Sequence, residues 1–356
     1  MKKTLNKTKI ADFATYIGVV IAFIVMNALM NEGLLTRSMK GQLVPICCYI
    51  VMAVSLNLTV GILGELSLGH AGFMSVGAFT GGVTAMSLQS AIPSDGVRLA
   101  LAIVMGAIFA GIAGTLVGIP VLRLHGDYLA IVTLAFGEII KELINCLIIG
   151  HDENGLHIIF NATGAKTVTD LGLTETGKVL IKGAQGATGT DTIASFTAGF
   201  ILIMVTLIVV LNLARSRSGR AIMALRDNRI AAESVGINVT KYKLMAFVTS
   251  AALAGGAGAL YGLNFSNLVS SKFDFNTSIL ILVFVVLGGL GNMWGSIIAA
   301  AVLTVLPEAL RGFADYRMLI YAIVLIVVML ATNSPQMKAL LSKLVPFGKK
   351  GEKEHA

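Results

Sequence analysis

Three charged side chains lie within one long apolar stretch: Glu138, Lys141 and Glu142. Charges at membrane depth are costly, so they pair with one another or face a water-filled cavity. Residues three or four positions apart are neighbours on a helix, which would place Glu138 beside Lys141. The spacing allows a proton relay. It also fits a simpler interpretation, an ion-paired cluster near the outer end of a membrane span.

A second group of polar residues interrupts the apolar segment that begins at Glu65. Ser67, His70 and Ser75 are its polar side chains, and Gly69 permits irregular backbone beside them. Irregular backbone at membrane depth is tolerated where it lines a cavity or is buried in protein. The segment therefore predicts either a wall or gate of a translocation pathway, or close helix packing with His70 satisfied by a neighbour.

The third candidate is the basic segment 214–243, which lies between two apolar stretches. The spacing predicts one helix over about 221–235, with Ile222, Leu225 and Arg229 near one face. Gly236 would end this helix. Residues 231–236 have the pattern Ala-Ala-x-x-x-Gly, which resembles the core of the loop by which importer permeases dock on their ATPases. The alternative is an ordinary basic loop on the inner side of a membrane.

Catalytic signatures do not stand out in the sequence. We find no paired catalytic carboxylates, nucleophile triad or metal-ligand cluster, so we expect no enzyme active site, metal or cofactor. The three cysteines, Cys47, Cys48 and Cys146, lie in apolar runs without metal-ligand spacing. If this chain acts in an ATP-driven process, another polypeptide must carry the ATPase.

The composition identifies the solvent around these groups. Of the 356 residues, 56% are hydrophobic and 13% are charged, whereas soluble domains carry about 25% charged residues. The chain therefore has too little polar surface to face water on all sides, and lipid is the alternative. The net charge of +8 is clustered between the apolar runs, which is typical of a topology signal and not of nucleic-acid binding.

Apolar runs long enough to cross a bilayer recur along the whole chain, and they predict an all-α polytopic membrane protein with about ten transmembrane helices. We treat 1–356 as a single transmembrane domain. The run 66–88 is rich in Gly and Ser, so it either spans the membrane or re-enters it. The predicted spans are 12–30, 43–62, 66–88, 98–121, 128–149, 194–213, 243–263, 276–291, 295–310 and 318–332.

Lys and Arg are concentrated in the segments that lie inside if the N-terminus is cytoplasmic. This bias predicts cytoplasmic termini and a cytoplasmic loop at 214–242. The longest polar stretch, 150–193, would then be an extracytoplasmic loop. It either covers the pore or meets a partner, or it is a loosely ordered surface loop.

Four blocks, in this order, resemble the permeases of high-affinity branched-chain amino-acid ABC transporters, in particular the LivM-like branch. They are SLGHAGFMSVGAF at 67–79, LRLHGDYLAIVTLAFGEII at 122–140, the run from RAIMALRDNRIAAESVG to GALYG at 220–262, and SILILVFVVLGGLGNMWGSIIAA at 278–300. The resemblance covers most of 45–335. The stretch 150–193 departs from it, being longer and more polar.

The resemblance implies a type II importer-like permease in the cell membrane. Its expected partners are a second homologous permease subunit, two cytoplasmic ATP-binding subunits, an extracytoplasmic substrate-binding protein and membrane lipid, with no nucleic acid. The expected substrates are leucine, isoleucine and valine. Urea, amides or other amino acids are alternatives within the family. An ion-coupled secondary transporter with Glu138, Lys141 or His70 as relay is an alternative outside it.

Carried over by position, the resemblance also assigns two sets of site residues. The first set would couple the permease to its ATPases and comprises Arg220, Leu225, Arg226, Asn228, Ala231, Ala232, Glu233 and Gly236. The second set would lie near the translocation path and comprises Ser67, Gly69, His70, Ser75 and Glu138.

Overall fold

The computed structural model is described at residues 2–33, 36–89, 91–122, 128–152, 155–161, 168–172 and 177–310, and at positions 319, 322, 323 and 326. The chain divides into two compact units, Met1–Ala301 and Val302–Ala356. All the contacts discussed below lie within the first unit.

Most of the described chain is helical. The helices are α1 Lys2–Asn31, α2 Arg37–Asn57, α3 His70–Ser87, α4 Asp95–Val121, α5 Tyr128–Asn145, α6 Phe196–Arg215, α7 Arg217–Asp227, α8 Arg229–Ser234, α9 Val239–Gly262, α10 Phe275–Gly288 and α11 Met293–Ala309. A π-helical turn, Leu58–Leu63, directly follows α2.

Each predicted span from 12–30 to 295–310 corresponds to a helix, whereas the last, 318–332, lies almost wholly outside the described residues. Among the described helices, five are long and apolar enough to cross a membrane. This agrees with a multi-pass membrane protein, and the count of about ten helices stays a prediction. Helix α3 is continuous over 18 residues, a length of about 27 Å.

The centre of the helical unit is formed by α3, α4 and α9, which approach one another through small residues. Ala110 on α4 lies so close to Gly255 on α9 that a Cβ atom at Gly255 would overlap it. A Cβ at Gly114 would lie 2.7 Å from the Cβ of Ala251. The small residues spaced four apart on α4 and α9 are therefore helix-packing positions, as their spacing indicates.

A small antiparallel sheet lies at one end of the helices. Its strands are β1 Leu147–Asp152, β2 Gly155–Phe160, β3 Lys178–Lys182, β4 Ala187–Thr188 and β5 Asn267–Leu268, in the order β2-β1-β3-β4-β5. In the β1–β2 hairpin, Leu147 pairs with Phe160 and Asp152 with Gly155. An all-α fold therefore holds only for the bulk of the chain, and strands β1 to β4 lie wholly or partly within 150–193. The β-branched pairs Ile148-Ile149 and Ile158-Ile159 favour strands here.

An ion-pair network fastens the sheet to the helices. Arg98, at the start of α4, is buried and donates from Nη2 to Asp95 Oδ1 at 2.7 Å. The same nitrogen lies 3.3 Å from Asp191 Oδ2. Gln89 joins the network by donating to Asp191 at 2.8 Å and accepting from Lys178 of β3 at 3.2 Å. These bonds fix the position of β3 relative to α3 and α4.

Candidate functional site

The basic segment folds into two short helices instead of the single predicted one. Helix α7 begins after Ser216, whose Oγ accepts from the Gly219 amide at 3.0 Å. The backbone leaves the helical conformation at Asn228, with φ −156° and ψ 106°, and α8 starts immediately afterwards. Asn228 Oδ1 accepts from the Ala231 amide at 3.0 Å. The prediction of one helix over 221–235 is therefore wrong, because Asn228 acts as an N-cap that starts a second helix.

The predicted helix end at Gly236 is confirmed. Gly236 has φ +84° and its amide donates to the Glu233 carbonyl at 3.0 Å, while the Ile237 amide donates to the Ala232 carbonyl at 3.1 Å. These two bonds form a Schellman motif. Ala232, Leu225 and Val239 then form a small buried apolar cluster. The cluster joins α7, α8 and the start of α9 into one unit, called the α7–α8 unit below.

Replacing Gly236 with alanine is expected to destabilise the α7–α8 unit by about 1 kcal/mol, because an L side chain is disfavoured at positive φ. No heavy atom lies within 4 Å of the added Cβ, so the effect is one of backbone conformation alone. Thermal unfolding of the purified protein in detergent measures it. Gly236→Asn is the control, since Asn tolerates the left-handed region. Equal losses for both variants would contradict this explanation.

The outward side of the α7–α8 unit carries exposed apolar and charged groups. Ile230 is 80% exposed and Val235 is 75% exposed. Arg229 Nε and Glu233 Oε1 form an ion pair at 3.2 Å on the same helix. A surface of this mixed character is suited to contact with another protein.

Arg226 and Arg220 bond to backbone carbonyls of their own chain. Arg226 Nη1 donates to the Gly61 carbonyl at 2.9 Å, and its Nε and Nη2 lie 3.2 Å from Asp227 Oδ1. Arg220 Nη1 donates to the Arg215 carbonyl at 3.3 Å. Of the predicted coupling residues, Arg226 is thus the one bonded to the end of the second helix.

The sequence analysis missed the polar contacts of two residues that flank the turn Leu58–Leu63, Glu65 and Asn57. Lys243, near the start of α9, forms an ion pair with Glu65. Asn57 Oδ1 accepts from the Gly291 amide at 2.8 Å, and its Nδ2 donates to Ser296 Oγ at 2.9 Å. The available signal was a charge at the border of an apolar run for Glu65 and Lys243, and an amide within a run for Asn57. Nothing in the local sequence identifies the partners.

His70, the first residue of α3, is buried against α2. Its Nε2 lies 2.8 Å from Ser55 Oγ, and Ser55 Oγ donates to the Met52 carbonyl at 3.0 Å. The Ser55 hydroxyl and His70 Nε2 share a hydrogen bond, whose donor depends on the imidazole tautomer. The histidine is therefore satisfied by a neighbour, which is one of the two interpretations offered by its sequence context.

The other pathway candidates on this segment are buried as well. Ser67 and Ser75 are each 1% exposed, and their hydroxyls have no hydrogen-bond partner within the described part of the chain. Gly69 lies immediately before α3, at the point where that helix approaches α5. A Cβ at Gly69 would overlap the Thr133 carbonyl oxygen. The glycine therefore permits the close approach of α3 to α5.

Thr133 completes this junction and was not singled out by sequence. Its Oγ1 accepts from the Leu68 amide at 3.1 Å and donates to the Ala130 carbonyl at 3.0 Å. Further along α5, Gly137 faces Gly72 so closely that a Cβ at Gly72 would lie 2.8 Å from the Gly137 Cα. The segment 67–72 thereby determines the position of α5.

The opposite side of α5 is exposed and mixes apolar with charged groups. Glu138 and Lys141 form an ion pair, and Lys141 Nζ lies 3.9 Å from Glu142 Oε1. Tyr128, Ile131 and Ile139 are exposed on this helix as well. A face that carries three ionisable groups is unsuited to lipid, so it faces water or a protein partner. Among the described residues, no group of three or more His, Cys, Asp or Glu side chains could hold a metal ion.

Comparison with known proteins gives consistent relatives. The permease protein LivM of the high-affinity branched-chain amino acid transport system is 35% identical over 288 residues in Escherichia coli (strain K12), covering 79% of this chain and 66% of the relative. LivM of Salmonella typhimurium is 34% identical over 292 residues, with the same coverage. LivH of Salmonella typhimurium is 32% identical over 118 residues, covering 32% of this chain and 38% of the relative.

The chain spans just under two thirds of the length of these LivM relatives. No solved structure matches it significantly. Residues 38–330 match the sequence model of one family, described as the permease component of branched-chain amino acid transport systems. The match extends from the start of α2 beyond α11 and includes every candidate site residue. This chain therefore belongs to the family of branched-chain amino acid transport system permease components.

Proposed function

We propose that this chain is the permease subunit of an ATP-driven importer that carries leucine, isoleucine and valine across the cell membrane. The observation that carries the proposal is the α7–α8 unit, a compact basic element with an exposed outward side and a direct bond to the end of the second membrane helix. Such a unit can transmit the motion of a separate motor. The LivM relatives are permease proteins of branched-chain amino acid transport systems, which supports the choice of substrate.

The assembly would contain a second homologous permease, two cytoplasmic ATP-binding subunits and an extracytoplasmic substrate-binding protein. The local similarity to LivH, a permease protein of the same kind of system, supports pairing with a related permease. This chain would contribute one permease domain of about ten transmembrane helices with a type II importer topology. Both termini and 214–242 would be cytoplasmic, and the sheet within 150–193 would be extracytoplasmic.

The residues of the coupling segment would have different roles. The exposed group around Ile230, Arg229 and Glu233 would contact the ATPase. Leu225 and Ala232 would hold the two helices together, and Asn228 and Gly236 would define their ends. Ala231 and Arg220 belong to the same segment.

The translocation path would run along the exposed side of α5, which carries Glu138. Ser67, Gly69, His70 and Ser75 would border the path from behind, by setting where α3 and α5 lie. Exposed apolar side chains lie on this side of α5 beside the ion-paired Glu138 and Lys141. The aliphatic side chain of the substrate would pass the apolar part of this wall without being retained, since apolar groups form no hydrogen bond to it.

Vesicle uptake tests the proposal. With the ATPase subunits and binding protein present, leucine uptake is expected to require ATP and to be absent under a proton or sodium gradient alone. Ile230→Asp is expected to lower ATPase binding about tenfold, because a charge replaces an exposed apolar contact. Ile158→Asp, an exposed isoleucine on β2, is the matched control and should bind the ATPases normally. Gradient-driven uptake without ATPases would identify an ion-coupled transporter instead.

A further inference from the structure

The second membrane helix does not end as an ordinary α-helix. Its last turn, Leu58–Leu63, is π-helical and is closed by Gly64 in the left-handed conformation with φ +80°. The last carbonyls of a helix lack partners within the helix. One of them, that of Gly61, accepts from Arg226 Nη1 at 2.9 Å. A cation at this end is favoured by the helix dipole, so α7 is bonded to the π-helical turn through a charge-assisted contact.

The π-helical turn is tightly enclosed on its other side. A Cβ at Gly61 would overlap both the Asn57 Oδ1 atom and the Gly291 backbone. Asn57 in turn holds the bend between α10 and α11 through its bonds to Gly291 and Ser296. The turn therefore has little freedom to absorb a displacement of α7 locally. A displacement of Arg226 must then move the residues that pack against the turn.

The π-helical turn leads directly into the segment that positions α5. Residue Glu65 follows Gly64 and pairs with Lys243 on α9. Leu68 then bonds to Thr133 of α5. Contacts thus run without interruption from Arg226 through Gly61 and the connector 64–69 to α5. π-Helical turns are rare and are frequently found at functional sites.

We propose that Arg226 is a positioning residue, which transmits the motion of the α7–α8 unit to the π-helical turn Leu58–Leu63 and so to α5. Arg226 would act within the permease, and it would not contribute to ATPase binding. The proposal rests on the function proposed above, because it requires ATPase motion as the input. Through the hydrogen bond from Arg226 to Gly61, movement of the ATPase-bound α7–α8 unit would displace the helices that line the translocation path.

The test measures three quantities in the full transporter: ATPase binding to the permease, ATP hydrolysis, and leucine uptake per ATP hydrolysed. Arg226→Met is expected to leave binding and hydrolysis unchanged and to lower uptake per ATP about tenfold, the effect of losing one charge-assisted hydrogen bond. Arg217→Ala is the control. Arg217 is exposed on the same helix, outside the predicted coupling residues, and this variant should match the wild type in all three.

Each result has a definite meaning. If Arg226→Met loses ATPase binding together with uptake, Arg226 is a docking residue and the inference is overturned while the importer function stands. Wild-type uptake per ATP in this variant also overturns it. If the wild-type transporter shows no ATP-dependent uptake, the proposed function itself fails.

Should Arg226→Met fail to accumulate, Arg226→Lys replaces it in the assay. A lysine ammonium cannot reproduce the planar guanidinium that contacts Gly61 and Asp227 together. This variant is also expected to bind the ATPases normally and to lower uptake per ATP. A wild-type ratio for Arg226→Lys would overturn the inference.

Discussion

Replacing Lys243 with methionine is expected to destabilise the protein by about 3 kcal/mol, because it leaves the largely buried partner carboxylate of Glu65 without its counter-charge. The side chains of the pair are 8% exposed at Lys243 and 19% exposed at Glu65. Methionine preserves most of the apolar stem, so the lost charge dominates the effect. Thermal or denaturant unfolding of the purified protein in detergent measures the change.

The ion pair between Arg229 and Glu233 provides the matched control. Its side chains are 34% and 47% exposed, and exposed pairs contribute about 0–1 kcal/mol. Arg229→Met should therefore leave the stability almost unchanged. If both variants lose the same amount, burial of the first pair is not the cause.

A double variant separates the effect of the unpaired charge on stability from the effect of side-chain packing. Replacing a buried pair by apolar residues of similar volume is often neutral or stabilising. Glu65→Leu combined with Lys243→Met should therefore recover most of the stability lost by Lys243→Met. A double variant as unstable as the single one would show that side-chain packing, and not the unpaired carboxylate, explains the loss.

The contact between Glu65 and Lys243 also shows why the sequence could not predict which helices meet. Glu65 and Lys243 are separated by 178 positions, and Arg226 lies 165 positions from Gly61. Helical periodicity reports which face of a helix is apolar, but it carries no information on which helices meet. The partners of Asn57 were hidden for the same reason. The connection from the coupling segment to α5 therefore emerges only from the fold.

Local features were predictable where one residue type dictates the conformation. Gly236 ends α8 because a glycine readily takes a positive φ. The break at Asn228 had a signal of its own, since Asn is a preferred N-cap, but the apolar spacing of Ile222 and Leu225 favoured a continuous helix. The sheet was missed because 150–193 is the longest polar stretch of the chain, and polarity predicts a loop. The paired isoleucines Ile148-Ile149 and Ile158-Ile159 indicate strands.

Small residues spaced four apart along a helix indicate close helix packing, and two glycines of α3 allow this packing to be tested. On α3, a Cβ at Gly77 would overlap the backbone of Gly255 on α9, whereas a Cβ at Gly82 would meet no heavy atom within 4 Å. Both glycines lie in the interior of the same 18-residue helix. Substitution by alanine therefore has the same intrinsic benefit at both positions, about 0.5–1 kcal/mol.

Gly77→Ala should nevertheless destabilise the protein by about 1–3 kcal/mol, because α3 and α9 are forced apart and their contacts are lost. Gly82→Ala should be neutral or slightly stabilising. The comparison is read from the unfolding midpoints of the two purified variants. Since α3 also carries the junction with α5, separating it from α9 should lower leucine uptake more than the stability loss alone explains. Equal midpoints for the two variants would mean that α3 and α9 are not in backbone contact at Gly77.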